Sequence, residues 1–397
     1  MNVYMKDNFC TIYKLKFHQL QRFLEEKGLK PVEDLNAADV VISGVCAAFD
    51  ADEARAISIM KKNAGRHVPH YTIGCLVGVN PDSLVTDHSY RTWEFAKLAR
   101  DLTGVDAPGY DNAPLPSLFR SKEDYRIFDP ARRFVGVTTG CGFECSYCPH
   151  KVGAGGVSSR PMDVVVADVS TAIAEGARII HLTGLDTASY GRDIGENFGR
   201  LLSAVLAGVG NEAVFHIAQF NPEGLGAGDD FETLLRACSD PRVVDIQLPV
   251  QTASERLLLL MKREYRIASV RSFVERLKEA NPKVFLRTDV MLGFPTETPT
   301  EVDATVGLVA ELFDEAAVYT YERKSGTPIA EVPAEWEIPQ QEKKRRLKQV
   351  SEQLQAAGVL VHSGGQKISS LFEADKTKSG AESPRCLMLE EGGGACD

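Results

Sequence analysis

Residues 134–148 read Phe134-Val-Gly-Val-Thr-Thr-Gly-Cys141-Gly-Phe-Glu-Cys145-Ser-Tyr-Cys148. A largely apolar run, Phe134 to Thr138, leads into three cysteines spaced C-x3-C-x2-C, with an aromatic residue just before the third. The run predicts a strand, and the cysteines predict a metal-binding loop at its end. Three thiolates on one tight loop suit three irons of a 4Fe–4S cluster and leave the fourth iron without a protein ligand. An open metal position is what catalysis requires, as at catalytic zinc sites. On spacing alone two other readings stand: a zinc knuckle with His150 as the nearby fourth ligand, and a buried structural loop.

Downstream the pattern alternates. Val164 to Glu175 is a predicted helix ended by Gly176, and Ile179 to Leu182 is the next strand. Val214–Ile217, Val243–Ile246 and Val284–Arg287 are further strands, and Ala317–Tyr321 closes the series. Helices are expected over Arg256–Met261, Val270–Ala280 and Glu301–Phe313. Repeated β–α alternation predicts a partial (βα) barrel over residues 130–335.

Upstream, residues 1–120 predict a small doubly wound α/β domain. His18–Lys27 and Ala51–Asn63 have helical periodicity; Asp39–Ser43 and Tyr71–Gly74 are short strands. The strands run out at Cys46 and Cys75, where open α/β sheets place their ligands. Residues 104–130 are rich in Pro, Asp and Gly and predict a linker. Residues 336–397 form a third segment: a charged helix over 339–358, then a Gly-, Ser- and Lys-rich tail expected to pack poorly, with one strand-like patch, Ile368–Glu373. The fold class is α/β throughout.

Of 397 residues, 44% are hydrophobic and 25% charged, as in an ordinary globular protein. No apolar run approaches the roughly 18 residues of a membrane span. The N-terminus lacks an h-region and a cleavage site, so a cytoplasmic chain is expected. The net charge of −10 lowers the expectation of a large polyanionic substrate, because phosphate binding draws on basic surface. Lys343-Lys-Arg-Arg346 is the dense basic run. With Glu342 and Glu352 flanking it, the run reads as the solvated face of an amphipathic helix. Nine cysteines without a secretion signal argue for thiolates in metal or redox service rather than a disulfide framework.

Several stretches resemble the methylthiotransferase branch of the radical S-adenosylmethionine (SAM) enzymes. They are Ala37–Cys46, Ile73–Cys75, the Cys141–Cys148 loop, Leu182–Gly191, Leu248–Ser254, Thr288–Thr298 and Tyr321–Pro328. The type acting on threonylcarbamoyladenosine in tRNA is the most similar, through 186–202, Phe220–Leu225 and Ala237–Gln251. The resemblance implies SAM on the open iron of the Cys141/Cys145/Cys148 cluster. It also implies a second 4Fe–4S cluster on Cys10, Cys46 and Cys75; Cys238, Cys386 and Cys396 match no ligand position. SAM contacts are expected from Tyr147, Thr183, Gly184, Asp186, Gln251 and the backbone near Leu292 and Gly293. Blander roles compete for three of these: a helix N-cap for Asp186, a loop hydrogen bond for Gln251, and packing over the cluster for Tyr147.

The sequence departs from the family pattern in places. Tyr13 stands where the family has Asn, Gly44-Val45 where it has Asn-Thr, and Thr296 where it has Gly; Val152–Gly156 carries no basic residue. The stretch after the charged helix is shorter than the small β-barrel (TRAM domain) that closes relatives acting on macromolecules. The implied chemistry is replacement of an unactivated C–H by C–SCH3, with two SAM used per turnover: one cleaved to a 5′-deoxyadenosyl radical, the other methylating a sulfur on the second cluster. An electron donor such as flavodoxin or ferredoxin is implied too. A peptide or small-molecule substrate is the expectation, with threonylcarbamoyladenosine tRNA the alternative.

Overall fold

The computed structural model describes residues 1–64, 67–106 and 131–363. Most of the expected linker (107–130), the patch Ile368–Glu373, Cys386 and Cys396 lie outside the described residues.

The first unit comprises β1 (Asn2–Asp7), α1 (Thr11–Glu26), β2 (Lys30–Val32), β3 (Val40–Val45), α2 (Asp50–Asn63), β4 (His70–Gly74), α3 (Leu76–Val79), β5 (His88–Tyr90) and α4 (Phe95–Thr103). Its five strands are all parallel, in the order β2-β1-β3-β4-β5. All six residues of β3 are buried, as expected of a central parallel strand covered on both faces. Phe9 packs so closely on Gly44 that a Cβ there would lie 2.4 Å from its ring. The helix expected from His18 begins seven residues earlier, directly after Cys10. The stretch Ile12-Tyr-Lys-Leu-Lys-Phe17 alternates apolar and basic residues like a strand. The helix buries even Lys16.

The second unit comprises β6 (Arg132–Thr139), α5 (His150–Ala154), β7 (Ser158–Ser159), α6 (Met162–Ala174), β8 (Ile179–Gly184), α7 (Phe198–Gly208), β9 (Val214–Ile217), α8 (Gly228–Cys238), β10 (Val243–Gln247), α9 (Glu255–Leu260), α10 (Ile267–Ala280), β11 (Phe285–Leu292), α11 (Pro299–Leu312), β12 (Glu315–Thr320), α12 (Gln340–Ala356) and β13 (Leu360–Ser363). Its sheet runs β13-β12-β11-β10-β9-β8-β6-β7, parallel except for the β7 edge, and is an open, partial barrel. α11 starts with a capping box, Thr298 and Glu301, and Pro299 in the first turn. The charged helix α12 and β13 extend this same sheet rather than standing apart: β13 pairs parallel with β12.

One face of the sheet makes the main core. Val135, Ile180, Leu182, Phe215, Ile217 and Ile246 pack there with Val165, Val169, Leu201 and Val274 of the helices. Each such side chain contributes about 1.5–3 kcal/mol by burial. The opposite face is polar near the strand starts. Phe134 stacks on His181, His181 lies against His216, and Asp245 holds Arg287 through paired hydrogen bonds. Phe134 also belongs to the core of the first unit, with Ile12, Leu15, Phe17, Phe95 and Leu98. The first unit therefore docks on the β6–β8 side. It also reaches β12, where Phe49 meets Tyr319 at 5.8 Å and the Asp50 N–H donates to Glu322 at 2.8 Å.

The basic run differs from expectation. Lys343 is buried and its Nζ donates to the Tyr321 carbonyl at 2.9 Å; Arg346 is buried and pairs with Glu297 at 2.7 Å. Arg345 pairs with Glu342 at 2.7 Å. Helical spacing turns the first and fourth residues of the run inward together, so the run is no continuous solvated face.

Candidate functional site

Every cysteine of interest follows the C-terminal end of a parallel strand. β6 ends at Thr139, and Gly140 turns with φ +65°; a Cβ there would lie 1.9 Å from the Gly156 carbonyl, so only glycine fits. The loop is then tied down. The Gly142 N–H donates to Ser189 Oγ at 2.9 Å, Ser146 N–H to Met261 O at 2.8 Å, and Cys148 N–H to Cys145 O at 3.2 Å. Cys141, Cys145 and Cys148 are thereby gathered on one loop, none in a disulfide.

In the first unit, Cys10 precedes α1, Cys46 follows β3 and Cys75 follows β4. Because β1, β3 and β4 are neighbours in the sheet, the three cysteines share one sheet edge. The Cys46 N–H donates to Asn8 Oδ1 at 2.9 Å, which fixes that turn.

All six thiols have raised pKa values. Burial lifts Cys10 and Cys145 to about 11 and Cys46 to about 12, and raises Cys75, Cys141 and Cys148 as well. Mutual repulsion adds to burial: Cys46 feels Cys10, and Cys75 feels Cys46, Cys10 and also Cys148. Buried thiols that repel one another as thiolates become compatible once cations sit among them, since a coordinating thiol is deprotonated outright. The donor set therefore fits iron. Among the described residues no three His, Cys, Asp or Glu converge as a single-ion site. A cluster instead gives each thiolate its own iron.

The two triads adjoin. α5 packs on α3 through glycines: a Cβ on Gly153 would lie 2.7 Å from the Cys75 carbonyl and 2.8 Å from its Cβ. A Cβ on Gly78 would lie 2.6 Å from the Val152 carbonyl. Backbone-to-backbone contact at this seam brings Cys75 within electrostatic reach of Cys148.

The expected SAM residues all lie at this end of the barrel. Thr183 and Gly184 end β8 and are buried beside β6. Asp186 caps the turn Thr187–Ser189, as its blander role had it, and its Oδ2 lies 3.8 Å from Cys141 Sγ. Tyr147 packs edge-on to Phe294 at 6.3 Å. Gln251 holds φ +67° and accepts a hydrogen bond from Tyr319. Two backbone groups near Leu292 and Gly293 are already engaged: Leu292 O accepts from Tyr321 N–H at 2.8 Å, and Gly293 N–H donates to Glu297 at 2.7 Å. Gln219 and Thr296 join Gln251 at this rim with positive φ.

Sequence reasoning missed Arg263. Its side chain is buried, and Nη1 lies 3.6 Å from Cys145 Sγ and 3.3 Å from Tyr147 Oη. Nη2 donates to Asn221 Oδ1 at 2.8 Å and to Pro249 O at 2.6 Å. It is a cation set beside a candidate iron ligand. Flanked by Lys262 and Glu264, it carried no local signal of burial. Cys238 sits in the barrel core, away from both triads.

Residues 135–309 match the model of the Radical SAM superfamily. The human threonylcarbamoyladenosine tRNA methylthiotransferase is 33% identical over 253 residues, covering 63% of this chain and 43% of its own length. The chain thus spans less than half the length of that relative. A tRNA-2-methylthio-N(6)-dimethylallyladenosine synthase from Sulfurihydrogenibium sp. is 27% identical, covering 87% of this chain and 82% of its own. Among solved structures, the radical SAM methyltransferase TsrM from Kitasatospora setae superposes with TM-score 0.61 at 15% identity, over 83% of this chain and 75% of that one. That likeness concerns the fold. The chain thus carries a radical SAM domain over residues 135–309 and is similar to proteins named as methylthiotransferases.

Proposed function

We propose that this protein is a radical SAM methylthiotransferase with two 4Fe–4S clusters, held by Cys141, Cys145 and Cys148 and by Cys10, Cys46 and Cys75, replacing a C–H of its substrate by C–SCH3. The observation that carries the reading is the glycine seam, where Gly153 lies on Cys75 and the two triads become neighbours. When bound, the clusters and SAM supply reductive SAM cleavage on one side and transferable sulfur on the other. The chain's own residues do the positioning. Arg263 keeps a positive charge beside Cys145. Ser189 donates to Asp186 at 2.6 Å and accepts from Gly142, which holds the carboxylate near Cys141. Thr183, Gly184, Asp186, Tyr147, Gln251, Leu292 and Gly293 form the proposed SAM surface. Phe49 against Tyr319, and Tyr147 against Phe294, are aromatic walls that keep water out. The reading brings with it a low-potential donor such as flavodoxin or ferredoxin and a cytoplasmic setting, and it assigns the auxiliary cluster to residues 1–120 and the SAM cluster to residues 130–335.

The substrate proposed is a peptide or small molecule. Three members of the dense basic run are engaged within the fold, Lys343 with the Tyr321 carbonyl, Arg345 with Glu342 and Arg346 with Glu297, which weakens the run as a surface for a phosphate backbone. The second reading, tRNA carrying threonylcarbamoyladenosine, is favoured by the names of the relatives. Anaerobic incubation of reconstituted protein with SAM, reductant and bulk tRNA separates them. A methylthio-modified adenosine nucleoside released from the tRNA by nuclease digestion would overturn the small-substrate reading. A reconstituted chain holding only about four irons, rather than about eight, would overturn the two-cluster reading.

A further inference from the structure

Tyr13 lies three residues after Cys10, in the first turn of α1, and its side chain is 1% exposed. Its ring sits 6.0 Å from that of Phe9. Its phenol oxygen accepts the Gly140 N–H at 3.4 Å, and Gly140 is the residue before Cys141. A second hydrogen bond joins the two units nearby: Thr92, also buried, donates to the Gly153 carbonyl at 3.2 Å.

Both contacts bear on the triads. Gly140 sets where the Cys141 loop leaves β6, and Gly153 lies against the backbone of Cys75. Tyr13 is itself rooted beside Cys10. The Tyr13 phenol thus joins the segment bearing Cys10 to the one bearing Cys141, and Thr92 holds the residue that lies on Cys75, both in a buried setting where hydrogen bonds are strengthened. A tyrosine present only to fill space would need its ring and not its hydroxyl.

We propose that Tyr13 is a positioning residue whose hydroxyl, by holding Gly140 while Thr92 holds Gly153, sets the separation and orientation of the two cysteine triads. The inference rests on the two-cluster reading. The test uses Tyr13→Phe, Thr92→Val and Thr92→Ser in the full chain, reconstituted anaerobically. Iron content and melting temperature are measured first. The magnetic coupling between the two reduced clusters is then read by electron paramagnetic resonance. Tyr13→Phe and Thr92→Val are expected to shift the coupling without loss of iron, and Thr92→Ser, which keeps a hydroxyl, to restore the wild-type spectrum. Coupling unchanged in both Tyr13→Phe and Thr92→Val overturns the proposal and leaves the two clusters standing. A wild-type chain with only about four irons refutes the second cluster instead. In that case the rate at which a short bifunctional thiol reagent bridges Cys75 and Cys148 in the purified protein decides: slowed in Tyr13→Phe, the positioning role holds; unchanged, it fails.

Discussion

Replacing Gly153 with alanine tests the seam most directly. The added methyl would lie 2.7 Å from the Cys75 carbonyl, 2.8 Å from its Cβ and 2.9 Å from its Cα. Two of these are backbone atoms, which no rotamer change can move aside. Overpacking of this kind costs about 1–3 kcal/mol, offset by up to about 1 kcal/mol because alanine favours the helix over glycine. The net loss of stability is therefore modest, about 1–2 kcal/mol, but the displacement falls on a candidate iron ligand. Gly156 is the control, since a Cβ there meets nothing within 4 Å; Gly156→Ala should stay within about 0.5 kcal/mol of wild type. Trp93 packs against Gly155, so its fluorescence during urea unfolding reports on the seam itself. Gly153→Ala should unfold at lower urea than Gly156→Ala and, after reconstitution, fall from about eight irons toward about four. Equal midpoints and equal iron in the two variants would refute the idea that the glycine contact sets the spacing.

Other outcomes follow from the same geometry. Gly307 is exposed in α11 with nothing near a would-be Cβ, so Gly307→Ala should gain up to about 1 kcal/mol in urea unfolding, with iron unchanged. Cys75→Ala should halve the iron content, whereas Cys238→Ala, in the barrel core, should leave it intact, as a colorimetric iron assay will show. Burial lifts the Asp289 carboxyl to about 6, although Gln247 Nε2 lies 3.1 Å from both its oxygens. Its folded pKa exceeds the unfolded value of about 3.9, so its contribution is complete below about pH 4 and is lost as pH rises through about 6. Asp289→Asn should therefore be more stable than wild type by about 1–3 kcal/mol at pH 8 and equal to it near pH 4, measured by urea unfolding at each pH.

The scaffold was legible where burial is written locally. β3, β6, β8 and β11 are runs of apolar and β-branched residues because parallel strands are covered on both faces, and each was visible as such. Elements whose sequences carry mixed signals were not. The start of α1 alternates like a strand, and β1 has Asn2 at one end and Lys6-Asp7 at the other. Both become what they are by packing on partners far along the chain. The cysteines were legible because thiolate spacing is itself chemistry. Arg263, Tyr13 and the Gly78–Gly153 pair were not, because their roles exist only in contacts spanning more than 70 residues. The basic run misled because charge pattern says nothing of which residues of a helix turn inward.

Gln219, Gln251 and Thr296 share an uncommon property: side chains other than glycine in left-handed backbone, all after strands at the cysteine-bearing end of the barrel. Each such residue holds strain of order 1–3 kcal/mol. Substituting glycine would relieve that strain, yet it would also free the very turns that aim Gln251 and its neighbours inward. The barrel is thus lopsided in its tolerance for improvement: variants that raise its melting point should accumulate at the helices and the strand starts, while the rim must keep its awkward conformations to keep its shape.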